Sequence, residues 1–229
     1  MENSFEQLAA SYDREFSDTL TGRAQRNIVW NYLLRNNINN KTILELNCGT
    51  GEDAVFLASK NQVTATDGSQ AMLDITQSKI LKAQLESKCA VLLWDLNQPF
   101  PAIKNNQYDF VFSNFGGLNC LSNQAIIKLS EEINHLIKPG GSIVMVIMGR
   151  FCLWEWIYFT MKGKYVEARR RKSKNAVNAK LGEIALIDIW YYSPDELKKC
   201  FGTEFNLFNK KPVGIFIPPS YINYDFRNK

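Results

Sequence analysis

"ILELNCGTGEDAVFLA", residues 43 to 58, decides the fold. A short apolar run ends in a Gly-Thr-Gly turn and passes into a helix-like pattern, the arrangement that lays a nucleotide-type ligand over the start of a helix. Residues 49 to 54 formally satisfy the dinucleotide spacing G-x-G-x-x-A, in which a pyrophosphate rests on free backbone N–H groups and the positive end of the helix dipole. Here that place is flanked by Glu52 and Asp53, with Glu45 just before the turn. A phosphate would face carboxylates, each contact opposing it by about 1 kcal/mol or more. Helix N-terminal acids are also favoured by the dipole, so Glu52 and Asp53 speak against phosphate more firmly than they speak for any ligand.

Working outward, apolar runs at 42–46, 62–66, 90–94, 108–113 and 142–148 alternate with helical patterns at 52–60, 69–86 and 123–137. That alternation predicts a parallel sheet covered by helices on both faces. "KPGG" stops the last of these helices before the fifth strand. Residues 1–36 read as N-terminal cap helices, and 150–184, aromatic and then basic, as a helical insertion over the strand ends. "ALIDIWYY" (185–192) alternates like a strand, Ser193, Pro194 and Glu196 spell a capping box, and 205–217 reads as a closing hairpin. One domain over 1–229 is expected, since 229 residues at 45% hydrophobic fill one core.

No apolar stretch approaches bilayer length, and the five cysteines are far apart and odd in number. Free thiols in a reducing cytoplasm are expected, with no metal site. The formal charge of +4 is local: residues 162–174 hold seven Lys or Arg against one Glu, which leaves about −2 for the rest.

A cationic ligand reverses the sign problem at the turn. S-adenosyl-L-methionine carries a sulfonium and an ammonium and no phosphate, and close backbone approach at the glycines suits it. Asp67 ends the second strand, where a carboxylate can accept both ribose hydroxyls, and Asp95 follows the third, where an acceptor can meet an adenine amino group. With Glu45, acids stand at three successive strand ends.

The chain resembles the class I S-adenosylmethionine-dependent methyltransferases: "ILELNCGTGEDAVFLA", "VTATDGSQAML", "VLLWDL", "YDFVFSNFGGLNCL" and "LIKPGGSIVMVI" look like that family's successive motifs, over roughly residues 5–149. Asn47 stands where the family usually has glycine, and Asn is the other residue that tolerates a left-handed backbone. The resemblance implies an α/β, Rossmann-like, seven-stranded mostly parallel sheet of order 3-2-1-4-5-7-6 with the last strand antiparallel, helices on both faces and a helical cap insertion. It implies that Glu45, Asn47, Gly49 and Gly51 line the methionine part of the cofactor, Asp67 the ribose, Met72 the adenosine, Asp95 and Leu96 the adenine, and Asn114 the amino-acid end. "SYDREF" looks like the leading segment whose tyrosine closes over the cofactor, here Tyr12, with Arg23 as a carboxylate partner.

Methyl transfer from a sulfonium is an in-line displacement, so holding and desolvating the acceptor matters most. The segment after the fourth strand offers no base beyond Cys120; Asn119 and Glu155 are the candidates to contact an acceptor. His135 belongs to a helix that delivers the chain to the wrong end of the sheet for catalysis, and its expected role is structural. A small-molecule acceptor, anionic if the basic run serves it and with oxygen ahead of nitrogen or carbon, is the main reading; nucleic acid lacks a stacking platform here. Rivals are a methyltransferase using the basic run to hold RNA or a carrier-bound substrate, a non-catalytic cofactor-binding regulator, a dinucleotide oxidoreductase, and a protein that attaches to a membrane surface through its aromatic and basic insertion. Tyr158 and Lys162 have the spacing of an oxidoreductase pair, but no serine lies between Ser142, which starts the fifth strand, and that tyrosine.

Overall fold

The computed structural model describes residues 2–101, 107–181, 185–215 and 217–219. Five parallel strands, β1 (Thr42–Leu46), β2 (Gln62–Asp67), β3 (Cys89–Leu93), β4 (Tyr108–Ser113) and β5 (Ile137–Met145), form one sheet of order β3-β2-β1-β4-β5. The order reverses beside β1, which opens a crevice at the carboxyl ends of β1 and β4.

Alternation along the strands assigns the two faces. Ile43, Val63, Ala65, Phe110 and Phe112 pack under α2 (Leu20–Arg35), α3 (Glu52–Ala58) and α4 (Gln70–Lys82). Leu44, Leu46 and Val111 point the other way, onto α5 (Asn123–Leu136) and α8 (Pro194–Cys200). Side-chain caps start these helices where the sequence offers them: Thr19 accepts from Gly22 N–H, Ser69 from Met72 N–H and Ser122 from Ala125 N–H. The Ser193–Glu196 capping box, with Pro194 in the first turn, forms as read. Before α2, α1 (Glu2–Tyr12) runs into a π-helical turn, Asp13–Ser17, and lies against α4, whose first turn it caps: Ala71 N–H donates to the Glu6 carboxylate at 3.2 Å.

Four expectations need correction. The fifth strand begins at Ile137, directly after α5, because "KPGG" is not a free turn but a bulged strand start: Ile137 pairs with Tyr108, the register then shifts, and Gly140 takes φ +76°. The sheet among the described residues has five strands, not seven. Two further strands, β6 (Val177–Leu181) and β7 (Ala185–Ile189), pair only with each other, antiparallel, in a separate ribbon. Its inner side chains, Val177, Ala179, Ile187 and Ile189, bury themselves against Phe5, Cys120 and Met148, so the ribbon roofs the strand ends instead of extending the sheet beyond β5. The 150–184 segment is accordingly helical only in part, with α6 (Leu153–Met161), α7 (Tyr165–Ala168) and a single 3₁₀ turn before β6. Finally, residues 205–215 form no strand, and the rest of the expected hairpin is described only at 217.

Candidate active site

The β1–α3 turn is held open by three left-handed residues, Asn47 and Gly49 at φ +55° and Gly51 at φ +82°. Asn47 thus takes the conformation for which it stands in place of glycine. A side chain on Gly51 would collide with Thr76 at 2.6 Å, so that glycine is needed for packing. One on Gly49 would meet nothing within 4 Å: its missing side chain opens onto the cleft. Asp67, at the end of β2, fastens the turn by accepting from Gly49 N–H at 2.9 Å and, through its other oxygen, from Ser69 N–H at 3.0 Å. Each oxygen keeps a further lone pair.

Behind the turn lies a buried ionic cluster. Glu45 is 2% exposed, and its Oε2 has no hydrogen-bond partner. Burial raises its carboxyl well above the usual carboxylate range, Asp53 and Asp67 add to the rise, and Arg26 opposes it. The Arg26 guanidinium, also buried, lies 3.4 Å from Asp53 and over the Phe115 ring at 4.8 Å. Asp53 in turn accepts from Trp30 Nε1 at 2.6 Å and Asn114 Nδ2 at 3.0 Å. Asn47 Oδ1, Ser113 Oγ and Arg26 Nε are further buried polar atoms without hydrogen bonds. Orphaned buried polar groups are rare in folded proteins, and this concentration beside the strand ends marks where a polar ligand belongs.

The N-terminal segment closes one side. Asp13 accepts from Thr50 Oγ1 at 2.5 Å and from Lys79 at 2.6 Å, and Lys79 also reaches Glu52 at 2.6 Å. Phe16 packs edge-on against Phe115, ring centroids 5.0 Å apart, and Tyr12 lines the cleft beside it. The Tyr12 phenol is pushed up to about 12, chiefly by burial, with Arg26 opposing and three aspartates assisting. Phe115 itself has φ +50°, strained for an aromatic residue and held there by the site around it.

The structure brings Tyr12, Asn47, Gly49, Asp67, Met72, Asp95, Leu96 and Asn114 to one cleft, with Glu45 and Gly51 directly behind it. Arg23 lies elsewhere: it is exposed and bonded to Asp18 at 3.0 Å, and the guanidinium of the site is Arg26. The sequence reading missed Arg26, Asp13 and Phe115. Asn119 is no acceptor contact, because every polar atom of its side chain is used: Oδ1 accepts from Met148 N–H at 2.8 Å, and Nδ2 donates to the carbonyls of Met148 at 3.1 Å and Trp190 at 2.5 Å. Glu155 is likewise spoken for, clasped between Arg170 at 3.1 Å and Arg171 at 2.5 Å. His135 is exposed on the last turn of α5. The groove that the cleft residues line continues along β5 to Ile137–Gly141 at the amino end of that strand.

A switch-point crevice with acids at three successive strand ends defines a doubly wound α/β domain of the nucleotide-binding type. Residues 43–141 match the family described as a methyltransferase domain. Over 147 residues the chain is 29% identical to a demethylmenaquinone methyltransferase of Staphylococcus epidermidis, covering 61% of this chain and 56% of that protein. Over 131 residues it is 31% identical to one of Lactiplantibacillus plantarum, covering 53% of each. The chain thus spans about half the length of the curated relatives it matches. Among solved structures, the DhpI-SAM-HEP complex shares the fold at a TM-score of 0.62 and 22% identity over 85% of this chain and 82% of that one. An S-adenosylmethionine-dependent methyltransferase from Clostridium acetobutylicum does so at 0.58 and 17% over 87% of each. Residues 43–141 are thus similar to a methyltransferase domain, and the chain shares the fold of these solved structures.

Proposed function

We propose that this enzyme transfers the methyl group of S-adenosyl-L-methionine to an oxygen atom of a small, anionic acceptor, leaving S-adenosyl-L-homocysteine. The observation that carries the reading is the pairing of an unpartnered buried carboxylate, Glu45, with a glycine whose missing side chain faces the cleft. A cationic amino-acid end answers both, whereas a phosphate, which could also approach the glycine, would face the carboxylate. In this reading Glu45 holds the ammonium and Arg26 the carboxylate of the methionine end. Asp67 takes the ribose hydroxyls, while Met72, Asp95 and Leu96 bound the adenine and the Asn114–Phe115 backbone lies near the reacting end. The cofactor supplies an electrophilic methyl group on its sulfonium.

The chain supplies position and dryness. Phe5, Met148, Ile187 and Ile189 make the acceptor side of the cleft apolar. Among the described residues no group there is a ready base: burial, aided by the charge of Asp67, pushes the Cys120 thiol up to about 11, and the Tyr12 phenol stays protonated. An acceptor that ionises by itself, a carboxylate or a phenol, meets that limit, which favours oxygen. Arg170 and Arg171 share one carboxylate at the roof and leave a net positive charge for an anionic acceptor. Residues 1–36 and 150–184 act as the two covers of the cleft. The names of the curated relatives, which specify a small-molecule acceptor, support the same class.

Titration calorimetry tests the reading. S-adenosylhomocysteine should bind, and Asp67→Ala should weaken that binding by about 1–3 kcal/mol, the cost of unpaired hydroxyls. Tight uptake of NADH with no response to S-adenosylmethionine or S-adenosylhomocysteine would overturn it.

A further inference from the structure

Helix α6 is inside out. At helical spacing Leu153, Trp156, Ile157 and Met161 form one stripe, and that stripe faces outward, with Trp156 48% and Met161 83% exposed. The opposite face carries Glu155, which is 2% exposed. It is buried only because Arg170 and Arg171 fold back from the basic segment to clasp it. A helix bathed in water would be turned the other way, since desolvating a carboxylate while leaving tryptophan and methionine in solvent is unfavourable on both counts.

The apolar surface continues past the helix. Phe151 precedes it, Tyr165 and Val166 follow it on α7, and all three are exposed. Trp154 Nε1 donates to the Ile215 carbonyl at 2.9 Å and so brings another exposed aliphatic residue to the same end. Lys164 joins α6 to α7, Arg169 follows α7, and Lys172 and Lys174 come next in the chain; all four cations are exposed. The Glu155 clasp consumes only Arg170 and Arg171 of the basic run.

We infer that the α6–α7 surface docks on a lipid bilayer bearing anionic headgroups, with the Leu153–Trp156–Ile157–Met161 stripe inserted at the interface and the exposed cations set against the headgroups. Aromatic and aliphatic side chains rimmed by Lys and Arg are what an interfacial helix presents to such a membrane. A second copy of this chain would bring two basic rims together. A nucleic acid would use the cations and leave the aliphatic stripe in water. Residues Phe151, Leu153 and Phe159 also line the cleft, so docking sets its mouth beside the bilayer. The inference does not depend on the proposed methyl transfer, because the surface lies outside the cofactor end.

Co-sedimentation of the full chain with vesicles tests it. Binding is expected to vesicles of phosphatidylcholine with about one-third phosphatidylglycerol, to be weak on pure phosphatidylcholine, and to fall as salt is raised. The Trp156→Glu, Met161→Glu double variant should lower the partition coefficient by about tenfold or more. Its calorimetric affinity for S-adenosylhomocysteine should match that of the parent chain, which also shows that the variant is folded. No sedimentation with either vesicle, equal sedimentation of variant and parent, or a vesicle-free dimer abolished by the variant would each overturn the inference.

Discussion

Glu45 follows Ile43 on the same face of β1, so strand periodicity places a carboxylate where the core lies. In the free protein its carboxyl is raised well above the usual carboxylate range by burial and by the charges of Asp53 and Asp67. A bound ammonium favours the ionised form, so binding releases a proton, and affinity for S-adenosylhomocysteine should rise with pH until the raised value is passed. Glu45→Gln should flatten that rise and weaken binding about tenfold or more at the plateau, as expected for losing a charge-assisted contact. Calorimetry in two buffers of different ionisation enthalpy checks the proton release, and an unchanged pH profile in the variant would remove Glu45 from the site. The stability of the free protein runs the opposite way with pH. A raised carboxyl stabilises the fold below its ordinary value and loses that contribution as pH climbs through the raised one, so the variant should resist unfolding better at high pH. The acid at the end of β1 was legible in the sequence, because an acid before a glycine turn stands out. Arg26 was legible only through packing: Gly22, Arg26, Val29 and Leu33 recur at helical spacing on the buried side of α2, while Arg23 points to solvent.

At the scale of the element, the β1–α3 turn separates two uses of glycine. Gly51→Ala would force a left-handed side chain into Thr76 at 2.6 Å and should destabilise the fold by about 2–3 kcal/mol in urea unfolding. Gly49→Ala meets no atom within 4 Å, so its stability loss should stay near the roughly 1 kcal/mol of a left-handed alanine, while the new methyl group enters the cleft and S-adenosylhomocysteine affinity falls about tenfold or more. Comparable stability losses with binding intact in both variants would contradict the placement of the ligand over Gly49. Turns of this kind are local, and their sequences announce them. The β6–β7 ribbon is less so. "VNAKL" does alternate, but it follows seven basic residues within a segment whose composition reads as helical, and among the described residues its only strand partner is β7.

At the scale of the molecule, one amide joins the sheet to its roof. Asn119 follows β4, receives Met148 N–H from the segment after β5, and gives its two amide hydrogens to the carbonyls of Met148 and Trp190. Its own backbone carbonyl accepts from Trp190 N–H at 2.8 Å. The chain leaving β7 is thereby tied above the strand ends, which explains why the seven-stranded expectation failed: helix and strand patterns specify what each segment becomes, whereas this connection is made by the side chain and backbone of one residue reaching across 71 residues of sequence. Asn119→Ala would leave Met148 and Trp190 backbone groups unpaired in a dry region and should destabilise the protein by about 2–4 kcal/mol. In the proposed reading the cofactor lies against β1, β2 and the N-terminal helices, so S-adenosylhomocysteine affinity should change by less than about threefold, within the coupling expected of separated sites. Urea unfolding and calorimetry on the same variant distinguish this from a direct role. If Asn119 instead touched the acceptor, stability would move by less than about 0.5 kcal/mol while KM for the acceptor rose, and the roof would need another anchor.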